Sequence, residues 1–333
     1  MARPAIWTGA LLALVLLAIP GGLLALDQGY LFRLAHLSMI FIILSASLNL
    51  VSGTAGLLSL AQAAFYGIGA YVAAIASTQF GLPFLVTLPA AMLFSGAFAF
   101  LTGIPAIRLV RIFFTVATLS IGEIITLAIT NWYDVTRGPL GIRGISPIEI
   151  FGIDLSSRLA TYYVIAVVML ASLWMLHRIT HSYYGNALRA LREDDQSAEA
   201  MGINANLLKI QAFAIAGAFA GLSGALLAHS TRYISPDMFR LPESILVLTM
   251  VVVGGLGSLP GAIIGALIMI LLPELGREVG ELRMILVGIV LFIAIVAMPR
   301  GLFSETAAIA FVRRWFGCAW RPGRDGKAGI GWK

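Results

Sequence analysis

Apolar residues fall along this chain mostly in runs of about twenty, the length a helix needs to cross the hydrocarbon core of a bilayer. The runs lie at 6–26, 32–52, 57–78, 84–107, 111–131, 160–177, 210–230, 243–256, 259–275 and 283–300, with polar residues gathered in the gaps. The pattern predicts an all-α polytopic membrane protein of about ten transmembrane or re-entrant helices. The eighth and ninth runs are separated by GGLGSLPG, starting at Gly254. That interruption fits two short spans or one broken, re-entrant element, since irregular backbone at such depth needs protein or a water-filled cavity around it. The first run is longer than a signal-peptide core and leaves between Leu23 and Asp27 without a small-residue cleavage pattern, so it reads as an uncleaved span.

One polar gap differs from the rest. From 178 to 209 the chain is charged and glycine-punctuated, and its centre predicts a helix from Asn186 to Met201, with Gly185 before it and Gly202 ending it. On that helix Arg189 and Glu193 are four apart and can face each other. Asp194, Asp195 and Glu199 give an acidic face, and Ala190, Leu191, Ala198 and Met201 an apolar one. A solvated loop helix would look like this, and so would a helix that docks into a groove on a partner.

Composition agrees with the span pattern: 59% of the 333 residues are hydrophobic and 11% charged, against about 25% charged in a soluble domain. Charge sets the orientation. With ten crossings both termini share a side, and that side carries fourteen of the twenty-two Lys and Arg residues, seven of them from Arg300 onward. The richer side is the cytoplasmic one. The N- and C-termini and the 178–209 loop are therefore expected in the cytoplasm, and the 132–159 loop outside. Residues 1–303 form the transmembrane domain and 304–333 a basic cytoplasmic tail. A basic flank beside a last span belongs to the membrane surface, which gives no reason to expect nucleic acid. The single cysteine, Cys318, lies in that tail.

Two stretches echo each other, GTAGLLSLAQAAFYGIGA from Gly53 and GGLGSLPGAIIGA from Gly254. Each has a glycine cluster, then Ser-Leu, then small residues opening a helix. The echo reads as an internal repeat of the kind that flanks transport pathways, or as the ordinary taste of membrane helices for small residues. Glu123, in the middle of the fifth span, costs about 2.5–3.5 kcal/mol on insertion scales, so it should face protein or water. It is a candidate pathway residue, and Asn49, Ser59 and Gln62 are softer ones. His36 and His229 read as packed or interfacial. No phosphate-binding loop, HExxH or paired-cysteine site occurs, and GLSG at 221–224 is not a nucleophile elbow. Neither an enzyme, a metal site nor a bound cofactor is expected.

Five ordered stretches resemble the LivM-type permeases of bacterial ABC importers for branched-chain amino acids. They are LNLVSGTAGLLSLAQAAFYGIGAY (48–71), TLSIGEI (118–124), ALRALREDDQSAEAMGINANLLKIQAFAIAGAFAGLSGAL (187–226), YISPDMF (233–239) and VVGGLGSLPGAIIGA (252–266), with PRGLF at 299–303. The resemblance implies a bacterial inner-membrane subunit paired with a related second permease, two cytoplasmic ATPases and a periplasmic binding protein. It also assigns the 189–202 segment, with Arg189, Arg192, Glu193, Ala198 and Gly202, to contact with the ATPases. The chain departs from the family at TRGPLG (136–141), where Arg137 stands in place of a glycine. Related permeases also serve urea and short amides. A self-sufficient secondary transporter or channel, with Glu123 as coupling carboxylate, is the rival reading.

Overall fold

The computed structural model describes residues 29–109, 111–150, 153–275 and 288. The spans expected at 6–26 and 283–300, both termini and the 304–333 tail lie outside these. Within the described residues the expected runs are helices. They are α1 (Gly29–Asn49), extended by a π-helical turn over Leu50–Thr54, α2 (Gln62–Thr78), α3 (Phe84–Ala106), α4 (Arg111–Asn131), the single turn α5 (Tyr133–Thr136) and α6 (Arg158–Thr180). There follow α7 (Tyr183–Glu193), α8 (Asp195–Ala200), α9 (Ala205–Thr231), α10 (Leu241–Gly254) and α11 (Leu259–Leu275). Among the described residues five helices are long and apolar enough to cross a membrane, at Tyr30–Thr54, Phe84–Ala106, Ile112–Asn131, Arg158–Thr180 and Ala205–Thr231.

α1 and α9 form the centre of the bundle and are largely buried, whereas α3, α4 and α6 keep most of their surface outward. Small residues let the central helices close up. Gly69 on α2 lies against the backbone of Gly221 on α9, and Gly217 of α9 against Ala99 of α3. Ser95 of α3 seals the same junction, its hydroxyl placed to donate to the carbonyls of Phe65 (2.9 Å) and Gly217 (2.8 Å). The outward faces of α3 and α4 carry Leu93, Phe94, Phe98, Ile112, Phe113 and Ile124, an apolar coat suited to lipid or to another membrane subunit.

The interrupted region around Gly254 resolves into two short helices. α10 has fourteen residues, about 21 Å of helix, short of the roughly 30 Å core. It is entered through a 3₁₀ turn at Pro236–Phe239 that packs into the bundle, with Phe239 against Gly67 of α2 and edge-on to Tyr66. Gly255 (φ 118°) ends α10 and Gly257 (φ 88°) turns the chain into α11. These are conformations that suit glycine alone. α11 folds back on α10, with Gly265 against Met250 and Gly261 against Gly254.

The 132–159 loop pairs briefly with the segment after α9, β1 (Ile142–Arg143) running antiparallel to β4 (Tyr233–Ile234), while β2 (Glu149–Ile150) and β3 (Ile153–Asp154) form a small hairpin. Beneath it His229 is packed, as its sequence context implied. Its ring nitrogens lie 2.8 Å from Thr87 Oγ1 and 2.9 Å from the Ser146 carbonyl.

The helix expected as one piece over Asn186–Met201 is two. Asp194 adopts extended backbone (φ −153°, ψ 113°), and its carboxylate accepts from the amides of Gln196 (2.9 Å) and Ser197 (3.3 Å), starting α8 afresh. An aspartate that caps the next helix ends the previous one. The first piece also starts earlier, at Tyr183, with Ser182 as its cap. Gly185 thus lies inside α7, where a side chain would run into the last carbonyls of α6. Gly202 (φ 86°) closes α8, as expected.

Candidate functional site

Glu123 sits on α4, half-buried, at the edge of a hollow of about 10 Å³. Leu60 and Ala64 from the start of α2, Phe239 and Leu241 from the start of α10, and Leu119 and Thr126 of α4 line it. Two helices therefore begin here, beside a carboxylate in the middle of a third. The irregular segments leading into them are held by α4 hydroxyls. Thr115 donates to the Leu58 carbonyl (3.0 Å), Thr118 accepts from the Leu60 amide (3.1 Å), and Thr126 reaches the Phe239 carbonyl (3.3 Å). Ser244 of α10 accepts from the Ala63 amide of α2 (3.0 Å), tying the two helix starts together. Such a hollow admits about one water.

The other three pathway candidates do not join Glu123. Asn49, Ser59 and Gln62 are buried, and each has a partner within the bundle. Asn49 Oδ1 accepts from the Gly257 amide (2.8 Å), Ser59 Oγ from the Ala61 amide (3.3 Å), and Gln62 donates to Ser47 Oγ (2.7 Å). They hold the helix junctions; Glu123 lines the hollow.

At the end of the bundle where α6 gives way to α9, α7 and α8 lie across the membrane body. Leu188 is part of the main core, and Leu191, Ala198 and Ala205 make a small cluster of their own. So Ala198 faces inward, while Glu193, Gly202, Ala190 and Met201 face solvent. Arg189 donates to Asn186 Oδ1 (2.8 Å), and no ion pair joins it to Glu193 among the described residues. Arg192 turns into the protein. Its Nη1 donates to the Gly53 carbonyl, and its side chain crosses Gly56 and reaches Gly257. The two echoing glycine clusters are thus neighbours, with Gly53 packed on Gly257 and Arg192 across both.

Sequence reasoning did not single out Lys209, which is buried and salt-bridged to Asp195 (Nζ–Oδ2 2.7 Å), joining α8 to the first turns of α9. A lone lysine opening a membrane helix, fourteen residues from an aspartate, is a signal only once the loop is known to fold back. Tyr184 makes a second strut, its hydroxyl donating to the Leu208 carbonyl (3.0 Å), and burial raises its pKa above the ordinary tyrosine value. The Asp194 carboxyl is held below its ordinary value by the Ser197 hydroxyl and then by the Ser197 and Gln196 amides.

Residues 30–295 match the family described as branched-chain amino acid transport system / permease component. The chain is 34% identical over 296 residues to the high-affinity branched-chain amino acid transport system permease protein LivM of Escherichia coli K12, covering 82% of this chain and 70% of that one. It is 30% identical over 159 residues to LivH of the same organism, covering 47% and 51%. It is 24% identical over 256 residues to BraD of Pseudomonas aeruginosa, covering 72% and 82%. No solved structure matches the chain.

Proposed function

This multi-pass membrane protein belongs to the branched-chain amino acid transport system permease family, and from that membership we propose that it is a translocating subunit of an ATP-driven importer. Its cargo would be branched-chain or similar hydrophobic amino acids. It would work in a bacterial inner membrane beside a related second permease, two cytoplasmic ATPases and a periplasmic binding protein. The observation that carries the reading is the α7–α8 element. It is a polar-faced helix pair whose inner side is anchored in the bundle by Leu188, Leu191 and Ala198, leaving Glu193, Met201 and Gly202 outward to meet a partner. A helix pair fixed in this way transmits a push from outside without melting.

In this reading the Glu123 hollow lies on the pathway. Its walls are the first turns of α2 and α10, and both chain segments lead back to the glycine junctions that Arg192 spans. The carboxylate suits the ammonium group of an amino acid, and Leu60, Leu119 and Leu241 suit an apolar side chain. Closure of the ATPases, relayed through α7 and α8, would separate the helix starts; alternating access needs two states of this sort, biased by a remote ligand.

The test is gentle extraction of the tagged chain from its native membrane, with companions weighed. A second permease and two nucleotide-binding subunits are expected. Recovery of the chain alone after cross-linking would contradict the reading and favour a self-sufficient transporter with Glu123 as its coupling group. Within the complex, E123Q should cut uptake while the ATPases remain bound.

A further inference from the structure

We infer that Arg192 is an internal clamp that carries movement of the α7–α8 pair into the pathway helices, and not a surface contact for the ATPases. The inference rests on the importer reading and assigns one residue a defined mechanical role within it. α1 and its π turn end at Thr54, and helix ends leave carbonyls without intrahelical partners. Here Leu50 and Val51 carbonyls are taken by the amides of Ala55 and Leu57, whereas the Gly53 carbonyl is taken by Arg192, 139 residues away. A guanidinium at a helix C-terminus is favoured by the helix dipole as well as by the hydrogen bond.

The stem of Arg192 is seated as firmly as its head. It lies on Gly56, where any Cβ would stand 2.8 Å from Arg192 Cγ, and its Nη1 stands 3.1 Å from the position of a Cβ at Gly257. Both glycines have positive φ (71° and 88°), so each turn has a shape of its own and leaves room that the Arg192 side chain occupies. Asn49 fastens the two turns to each other through the Gly257 amide. Gly53 is nine residues before Gln62, where α2 begins, and Gly257 lies three residues past Gly254, the last residue of α10. The first turns of those two helices wall the Glu123 hollow. Displacing α7 therefore pulls, through one side chain, on the segment leading into α2 and on the far end of α10, and the rigid helix carries the pull to its first turn.

The experiment compares wild type, R192Q, R192K and G56A in the complete complex with its ATPases and binding protein, reading ATP hydrolysis, uptake and subunit content. R192Q should keep its ATPase subunits and basal hydrolysis, and lose uptake per ATP by about tenfold, the scale of one charge-assisted hydrogen bond. R192K keeps the charge but not the fork and should fall between. G56A, whose added methyl meets the Arg192 stem, should reproduce R192Q. If R192Q does not assemble, R192K and G56A carry the test. Uptake per ATP unchanged in the variants that assemble would overturn the clamp. So would release of the ATPases from an otherwise intact permease pair, which would make Arg192 a docking contact. A wild-type complex without ATPases would instead defeat the importer reading, before any variant is made.

Discussion

Removing the Lys209–Asp195 pair should loosen α8 from α9 while leaving the membrane core intact. The Nζ–Oδ2 separation is 2.7 Å, with side chains 10% and 40% exposed. At that distance and an effective dielectric constant near 20, the Coulomb attraction is about 6 kcal/mol. Most of it is cancelled. Lys209 gives up nearly all its hydration, a cost of several kcal/mol, and the half-open aspartate is screened by water. A net coupling of about 1–2 kcal/mol remains. Local opening of α8 is the right observable, because membrane complexes seldom unfold reversibly. Amide exchange at Gln196–Ala200 should rise about 5–30-fold in K209M and in D195N. The double variant should be no worse than the more damaging single one, and exchange in the middle of α9 should stay unchanged. A cycle with coupling below about 0.5 kcal/mol would refute the reasoning, since independent sites add within that margin.

Asp194 caps α8, so D194A should destabilise α8, read as faster exchange of the same amides. Its folded pKa is lowered; the stabilisation is complete above the unfolded-state value and fades as pH falls through the folded-state value. Exchange corrected for its intrinsic pH dependence should therefore rise only on the acid side of the ordinary carboxylate range, and D194N should abolish that rise. G221V, whose side chain would enter the space held by Ser95 and Ala91, should lower thermal stability by about 1–3 kcal/mol or abolish folding. G122A, with its nearest neighbour at 3.5 Å, should be tolerated, and equal loss in both variants would contradict the packing. Arg137 adopts a left-handed backbone (φ 59°), which costs a non-glycine residue about 1–2 kcal/mol. R137G should raise the melting midpoint or leave it unchanged, and a clear fall would show that the side chain itself is needed.

The spans were legible because length and apolarity are written into consecutive residues, and the bounds of α3, α4 and α6 follow them closely. The geometry of α10 was less so: Ser244 to Gly254 looks like part of a span, yet its start is buried against α2 through Phe239 and Ser244. Glu123 stood out because a carboxylate in a membrane helix is costly wherever it points. Asn49, Ser59 and Gln62 stood out for the same polarity, but their partners come from Gly257, Ala61 and Ser47. Only the Ala61 partner is local, and none can be ranked without knowing which helix ends meet. Arg192 was read with its neighbours on a charged helix face, where arginines usually meet water. Its inward course depends on a gap between two glycine turns about two hundred residues apart. Asp194 is the instructive case, since in the pair Asp194–Asp195 one carboxylate is a cap and the other a salt-bridge partner. Counting both as an acidic face hid the helix break between them.

The most direct measurement is uptake of labelled leucine into proteoliposomes holding this chain with the proposed companion permease, ATPases and binding protein. Accumulation is expected to require ATP and every component, and to be cut by E123Q. Accumulation by this chain alone, driven by an ion gradient without ATP, would contradict the importer reading.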